Sequence, residues 1–284
     1  MTNIMVIGNQ KGGIGKSFTC AMFANLLSTN SHERVKKEYH RTAERVLLID
    51  TDSQADSTFI LTRQEADYFN DRNLYNALID QDATDYIYPV SDTLHVLPGS
   101  AQLAMFDDLF AAAQKQIEQP EKMLENALRP VANQYDWIII DTPPALSRIQ
   151  AQALNVSLGY ITNVIIPLQT KRLGRDSILR YAHTLNEVKA NTNPNLHIAG
   201  VMPILTDTHA RVDKHILDSA REMFDDLVMQ TVVRRRVSLE DMVEHGFSEK
   251  YAHEREALED FYSALKEVRA YVERTKQQRI KEYQ

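Results

Sequence analysis

Near the start of the chain, Gly8-Asn9-Gln10-Lys11-Gly12-Gly13-Ile14-Gly15-Lys16-Ser17 sets four glycines and two lysines directly behind the apolar run Ile4-Met5-Val6-Ile7. Glycines let a backbone turn its N–H groups inward, and a helix starting near Lys16 adds the partial positive charge of its N-terminus. Together they make an anion site. Lys16 would reach the β- and γ-phosphates of a nucleotide and the Ser17 hydroxyl would ligate Mg²⁺. The usual phosphate-loop pattern asks for glycine five residues before the glycine of Gly-Lys-Ser, and Gln10 stands there. What fits is Lys11-Gly12-Gly13-Ile14-Gly15-Lys16-Ser17, with a second lysine just after the strand; a chance match is on the order of 1 in 10,000.

Acidic residues supply the complementary chemistry. Asp141 closes the apolar run Trp137-Ile138-Ile139-Ile140 ahead of Thr142-Pro143-Pro144, where a carboxylate can face the phosphate loop and hold Mg²⁺ through water. Asp50 and Asp52 end another apolar run two residues apart, so an extended chain would point both to one side. Arg234, Arg235 and Arg236 form a local cationic patch in an acidic protein, suited to phosphate contact that weakens with salt. The competing reading is a solvated loop countered by Glu240, Asp241 and Glu244. Lys171, Arg172 and Arg175, and the stretch from Arg274 to Lys281, are weaker cationic candidates. Cys20 reads as a small buried core residue, the nine histidines lack metal-ligand spacing with His209 and His215 at the surface, and Tyr86, Tyr88 and Pro89 read as local packing.

The elements that must position these residues are legible as apolar runs with helical stretches between them: Ile4 to Ile7, Val46 to Ile49, Leu94 to Leu97, Trp137 to Ile140, Ile161 to Pro167 and Ile198 to Ile204. Runs without polar alternation suit strands covered on both faces. The expected fold is α/β, a mostly parallel, doubly wound sheet with helices on both faces and ligands at the carboxyl ends of its strands. Helices are expected over Ala101 to Gln116, Glu121 to Ala132, Arg175 to Lys189 and Val212 to Leu227. A single domain spanning 1–284 is expected, with a polar extension from Ser28 to Arg45 and a final helix from Glu254 to Lys276 followed by a polar tail.

Of the 284 residues, 43% are hydrophobic and 25% charged, with a formal net charge of -7. Any contact with a polyanion must therefore come from a local patch. One cysteine forms no internal disulfide, the start lacks the profile of a secretory leader, and no apolar run approaches the roughly 20 residues that span a bilayer. A cytoplasmic protein is expected.

The motifs Asn9 to Ser17, Val46-Leu47-Leu48-Ile49-Asp50-Thr51-Asp52-Ser53-Gln54, Leu94 to Gly99 and Tyr135 to Pro144 resemble the ParA family of partition ATPases, a branch of the deviant P-loop ATPases that also holds MinD and the nitrogenase iron protein. The resemblance covers nearly the whole chain. It implies ATP and Mg²⁺ as cofactors, with Lys11, Gly12, Gly13, Ile14, Gly15, Lys16, Ser17 and Phe18 around the nucleotide. It implies Ser17, Asp50 and Asp141 in the Mg²⁺ shell, and Lys11, Lys16 and Asp52 in hydrolysis, with Lys11 crossing to the nucleotide of a partner subunit in an ATP-sandwich homodimer and Asp52 positioning water. The family usually has proline where Ser53 stands, and Pro-Arg where Arg234-Arg235 stand, which unsettles an adenine contact at Arg234. Further implications are DNA binding without sequence preference through Arg234, Arg235 and Arg236, and a ParB-type centromere-binding protein that stimulates hydrolysis. The first strand begins so close to the start that no helix-turn-helix is expected before it. A MinD-like membrane regulator would need an amphipathic terminal helix, for which Ile280 and Tyr283 are too little apolar surface. An iron–sulfur protein would need more than Cys20. A nucleotide-gated scaffold that never contacts DNA is the remaining alternative.

Overall fold

The computed structural model describes residues 2–29, 43–170, 174–207 and 210–282. Eight strands form one sheet: β1 (Asn3–Ile7), β2 (Val46–Asp50), β3 (Tyr88–Pro89), β4 (Leu94–Leu97), β5 (Trp137–Asp141), β6 (Thr162–Gln169), β7 (Leu196–Thr206) and β8 (Val233–Arg234), in the order β3-β4-β2-β5-β1-β6-β7-β8. Every pairing is parallel except the short β3–β4 edge. The expected doubly wound sheet is the fold observed.

Alternation along each strand explains why both faces are covered. Ile4, Val6, Leu47, Ile49, Ile138 and Ile140 enter one core, whereas Met5, Ile7, Val46, Leu48, Trp137 and Ile139 enter the other. Successive side chains point to opposite faces of a strand, so an unbroken apolar run feeds two layers at once. Helices α1 (Lys16–Ser28), α2 (Asp56–Thr62) and the pair α9 (Val237–His245) and α10 (Ala252–Glu282) cover the second face, and α3 (Leu74–Asp80), α4 (Phe106–Ala113), α5 (Met123–Leu128), α6 (Arg148–Asn155), α7 (Gly174–Asn191) and α8 (Arg211–Phe224) the first. The chain leaves β1 toward β2 with β5 between them, and after β5 it returns across β1 to β6. That reversal opens a crevice at the carboxyl ends of β1, β2 and β5.

Several expected helices differ in extent. The stretch 101–116 divides into a 3-10 turn over Ala101–Met105 and α4, with the Leu103 N–H closing on the Ser100 carbonyl at the turn. In the stretch 121–132 the α-helix is confined to α5, between 3-10 turns at Pro120–Lys122 and Ala132–Gln134, because Pro130 has no N–H to continue it. The last helix extends through Glu282 instead of giving way to a tail after Lys276. Lys, Gln, Arg and Glu there are all good helix formers, and Lys276 pairs with Glu273. Most of the polar extension, 30–42, lies outside the described residues.

At the amino end of the sheet, Arg269 of α10 makes a bidentate pair with Glu44 and stacks over Trp137, 5.2 Å from its ring centre. Both side chains are mostly buried. Arg269→Ala would take the guanidinium from a shielded carboxylate that otherwise accepts from the Trp137 indole N–H, and is expected to cost about 2 kcal/mol, read as a melting temperature about 5 °C lower.

Candidate phosphate and magnesium site

The phosphate loop leaves β1 at Gly8 and enters α1 through Gly15. Gly13 (φ 66°) and Gly15 (φ 78°) both take left-handed backbone, a conformation that costs glycine nothing. Gly15 is the N-cap residue of α1, and no side chain caps the helix. No acidic residue sits in its first turn, which leaves the N–H groups of that turn for an anion. Asn9 fastens the near side, donating from Nδ2 to the Pro167 carbonyl at 2.7 Å and accepting the Lys11 N–H at 3.2 Å.

Lys16 is almost completely buried and donates from Nζ to the Lys11 carbonyl at 3.1 Å, so the loop folds around its own ammonium. Burial lowers the Lys16 pKa, against the fields of Asp141 and then Asp52. Ile14 and Phe18 turn their side chains inward, Phe18 onto Phe261 and Phe247 at 5.6 and 6.1 Å between ring centres. Either residue could serve a phosphate only through its backbone.

Asp141 ends β5 opposite Asp50, which ends β2, in direct parallel register. Both are fully buried, yet their surroundings differ. Asp50 Oδ2 accepts from the Thr58 N–H (2.9 Å) and hydroxyl (2.7 Å), and Oδ1 from the Asp52 N–H (3.1 Å). Gly99 packs against this carboxylate so closely that a Cβ there would lie 2.9 Å from Asp50 Cγ. Neither oxygen of Asp141 makes a well-aligned hydrogen bond among the described residues, although the Ser17 and Ser57 hydroxyls and the Cys20 thiol come close enough to act on its charge. Burial, aided by Asp50, pushes the Asp141 pKa up to about 8 despite the pull of Ser17 and Lys16, and burial pushes Asp50 up to about 6 despite Thr58.

A buried carboxylate with two unused oxygens, close to a cation and a serine hydroxyl, is the chemistry of a divalent-cation site. No group of three His, Cys, Asp or Glu side chains among the described residues forms a protein cage for a metal. That suits Mg²⁺, which keeps several waters and takes one or two carboxylates plus phosphate oxygens. Ser17, Asp141 and, in part, Asp50 fit the group.

The structure brings Lys11, Lys16, Ser17, Asp50, Asp52 and Asp141 to one end of the sheet. One detail departs from expectation: β2 stops at Asp50, and a turn, with Asp52 accepting the Gln54 N–H at 3.1 Å, sets Asp52 half-exposed. The two carboxylates are placed by that turn and not by strand alternation. The arginine triplet is also changed. Arg234 makes a bidentate contact with Asp260, and Arg236 pairs with Glu256 and Asp260, so the counter-charges come from α10 and not from Glu240, Asp241 or Glu244. Arg235 alone of the three is exposed without an ion pair among the described residues. Lys171, Arg172 and His209 lie outside the described residues, as does the side chain of Arg175. Cys20 is buried, and its thiol is pushed well up by burial and then by Asp141, in keeping with an inert core residue.

Sequence reasoning missed Thr58, Thr51, Thr142 and Gly99. Thr51 Oγ1 donates to the Asp141 carbonyl at 2.6 Å and Thr142 Oγ1 to the Ile7 carbonyl at 2.9 Å, tying the three strand ends together. Threonine immediately after each strand-ending aspartate was the available signal.

Comparison with known proteins agrees with this geometry. The family model described as "AAA domain" matches residues 2–198. The sporulation initiation inhibitor protein Soj of Bacillus subtilis is 30% identical over 249 residues, covering 87% of this chain and 89% of that protein. The chromosome partitioning protein ParA of Myxococcus xanthus is 30% identical over 247 residues, covering 86% and 79%. Among solved structures, cobyrinic acid a,c-diamide synthase from Mycobacterium smegmatis with bound ADP and magnesium is similar at a TM-score of 0.69 and 25% identity, covering 87% and 92%. The ATP complex of McdA from Cyanothece, at a TM-score of 0.77 and 19% identity over 95% and 96%, shares the fold.

Proposed function

The chain belongs to the ParA family of P-loop partition ATPases, and from that premise we propose that it segregates DNA by an ATP-driven cycle of dimerisation and DNA binding. The observation that carries the reading is the two-lysine phosphate loop facing the unpartnered carboxylate of Asp141. Ser17, Asp141 and Asp50 would hold Mg²⁺, which when bound would supply positive charge to offset the charge developing on the phosphates. Gly12 to Ser17 would cradle the phosphates of ATP with backbone N–H groups, and Lys16 would place its ammonium against the β- and γ-phosphates. Ser17, Asp141 and Asp50 would orient the metal and its waters. Asp52, half-exposed at the mouth of the site, would position the attacking water. Lys11 would act on the nucleotide of a partner subunit, as an arginine finger does.

The γ-phosphate would thereby favour the dimer, and its loss would reverse that preference. A cytoplasmic, nucleoid-associated cycle follows, with a ParB-type partner accelerating hydrolysis. No helix among the described residues is long and apolar enough to cross a bilayer.

Asp52→Ala is expected to retain ATP binding while losing at least about a hundredfold in single-turnover hydrolysis, the low end of what a positioned proton acceptor contributes. An unchanged rate removes Asp52 from the mechanism.

One observation favours the scaffold reading. With Arg234 and Arg236 neutralised by α10, Arg235 is all that remains exposed and unpaired of the triplet expected to meet DNA. Binding of the protein to non-specific duplex DNA, with ATP, with ADP and without nucleotide at two salt concentrations, separates the readings. ATP-confined, salt-sensitive binding supports partition; no binding in any state, with hydrolysis intact, supports the scaffold.

A further inference from the structure

Tyr181, on α7, is fully buried, and its hydroxyl has no hydrogen-bond partner among the described residues. A buried donor without an acceptor is unfavourable for folding, and phenylalanine would fill the same space without that penalty. What the hydroxyl touches is Gly8, the residue at which the phosphate loop leaves β1. A Cβ on Gly8 would lie 2.0 Å from the Tyr181 oxygen, 2.8 Å from Cζ and 3.2 Å from Thr142 Oγ1. The Gly8 N–H is bound to the Ile165 carbonyl at 3.1 Å, so the backbone there is held on one side by β6 and on another by the phenol. Close to one helical turn further on, Thr184 of α7 accepts from Gln10 Nε2 at 3.4 Å. The same helix therefore meets the loop twice, at Gly8 and at Gln10.

We infer that Tyr181 is a positioning residue for nucleotide binding: its hydroxyl props Gly8 and sets the angle at which the phosphate loop leaves β1. The inference rests on the reading that this loop binds ATP. It also accounts for Gly8, whose backbone is not left-handed and which is required by the phenol oxygen that fills the place of a side chain. Tyr181 acts on the loop and not on the nucleotide, so its effect belongs in affinity and not in the chemistry of hydrolysis.

The test is calorimetric titration of Mg-ATP into wild type, Tyr181→Phe, Gly8→Ala and the double variant, with thermal unfolding of each. Tyr181→Phe is expected to melt at the same or a higher temperature, yet to bind ATP about five- to tenfold more weakly, the size of one weakened hydrogen bond between the shifted loop and phosphate. Gly8→Ala is expected to lose about a hundredfold, because the clashing Cβ must displace the backbone that carries the loop and so weaken about two such hydrogen bonds. When Gly8→Ala is combined with Tyr181→Phe, which takes away the clashing oxygen, that loss should shrink by about tenfold, a coupling that independent sites do not show. An ATP affinity unchanged in Tyr181→Phe, or a Gly8→Ala loss of equal size in both backgrounds, overturns the inference. Should Gly8→Ala fail to fold, Tyr181→Phe decides alone. A wild type that binds no ATP overturns the reading of the loop itself, and a wild type that binds it normally while Tyr181→Phe matches it overturns only the role given to Tyr181.

Discussion

Asp141→Asn is expected to make the protein more resistant to heat and, in the same step, to abolish ATP hydrolysis. The wild-type carboxyl is fully buried with both oxygens unpartnered, and the penalty for such a group is about 1–3 kcal/mol. Asparagine keeps the shape and carries no charge at any pH, so the gain should appear at and above about pH 8, where the wild-type carboxyl ionises. The gain should appear as a melting temperature higher by about 2–4 °C per kcal/mol. The loss of activity follows because an amide is a poor ligand for a hard cation beside a serine hydroxyl.

The pH dependence of stability carries the same signature. A carboxyl with a raised folded pKa binds more protons folded than unfolded, here between about 4, where an unfolded aspartate titrates, and about 8 for Asp141. Its contribution to stability is thus fully present below pH 4 and is lost as pH rises through about 8. Asp141→Asn should flatten the fall in melting temperature across that window, and Mg²⁺ should stabilise wild type more at pH 8 than at pH 6. A variant that melts lower and keeps the wild-type pH profile would mean that Asp141 is satisfied by contacts other than a cation.

Lys16→Ala is expected to bind ATP at least about a hundredfold more weakly, the loss of two charge-assisted contacts to phosphate at about 1.5–3 kcal/mol each. Two effects act on stability in opposite directions. Removing a buried ammonium relieves a desolvation cost, while Asp141 and Asp52 lose a cation that acts on them. The variant should therefore melt near wild type without nucleotide and show no rise when Mg-ATP is added, whereas wild type rises by an amount set by its affinity. A nucleotide-dependent rise of wild-type size in Lys16→Ala would remove the lysine from the site.

Much of this arrangement could be read in the residues themselves, because the chemistry of the loop is local. Glycines at 12, 13 and 15 and a lysine at 16 constrain one another within a few residues, and Asp141 closes a run whose apolar character already marks a doubly covered strand. What could not be read depends on contacts made by distant segments. Thr58 secures Asp50 only because the turn after β2 passes through Ala55 in left-handed backbone at φ 56°. Arg234 meets Asp260 because α10 returns along β8, so a patch that is cationic in the sequence is largely neutral in the fold. The hydroxyl of Tyr181 reaches Gly8 through the stacking of α7 on β6 and β7, which no periodicity announces. Helix ends were legible where proline or glycine punctuates the chain and illegible where a 3-10 turn tightens it, as at Ala101–Met105.

The most direct measurement is calorimetric titration of ATP into wild-type protein with Mg²⁺ and again with the metal chelated. The account predicts one ATP per chain, bound at least about tenfold more tightly with Mg²⁺ because Asp141 and Ser17 then gain a partner. Equal affinity with and without Mg²⁺, or no binding at all, would contradict it.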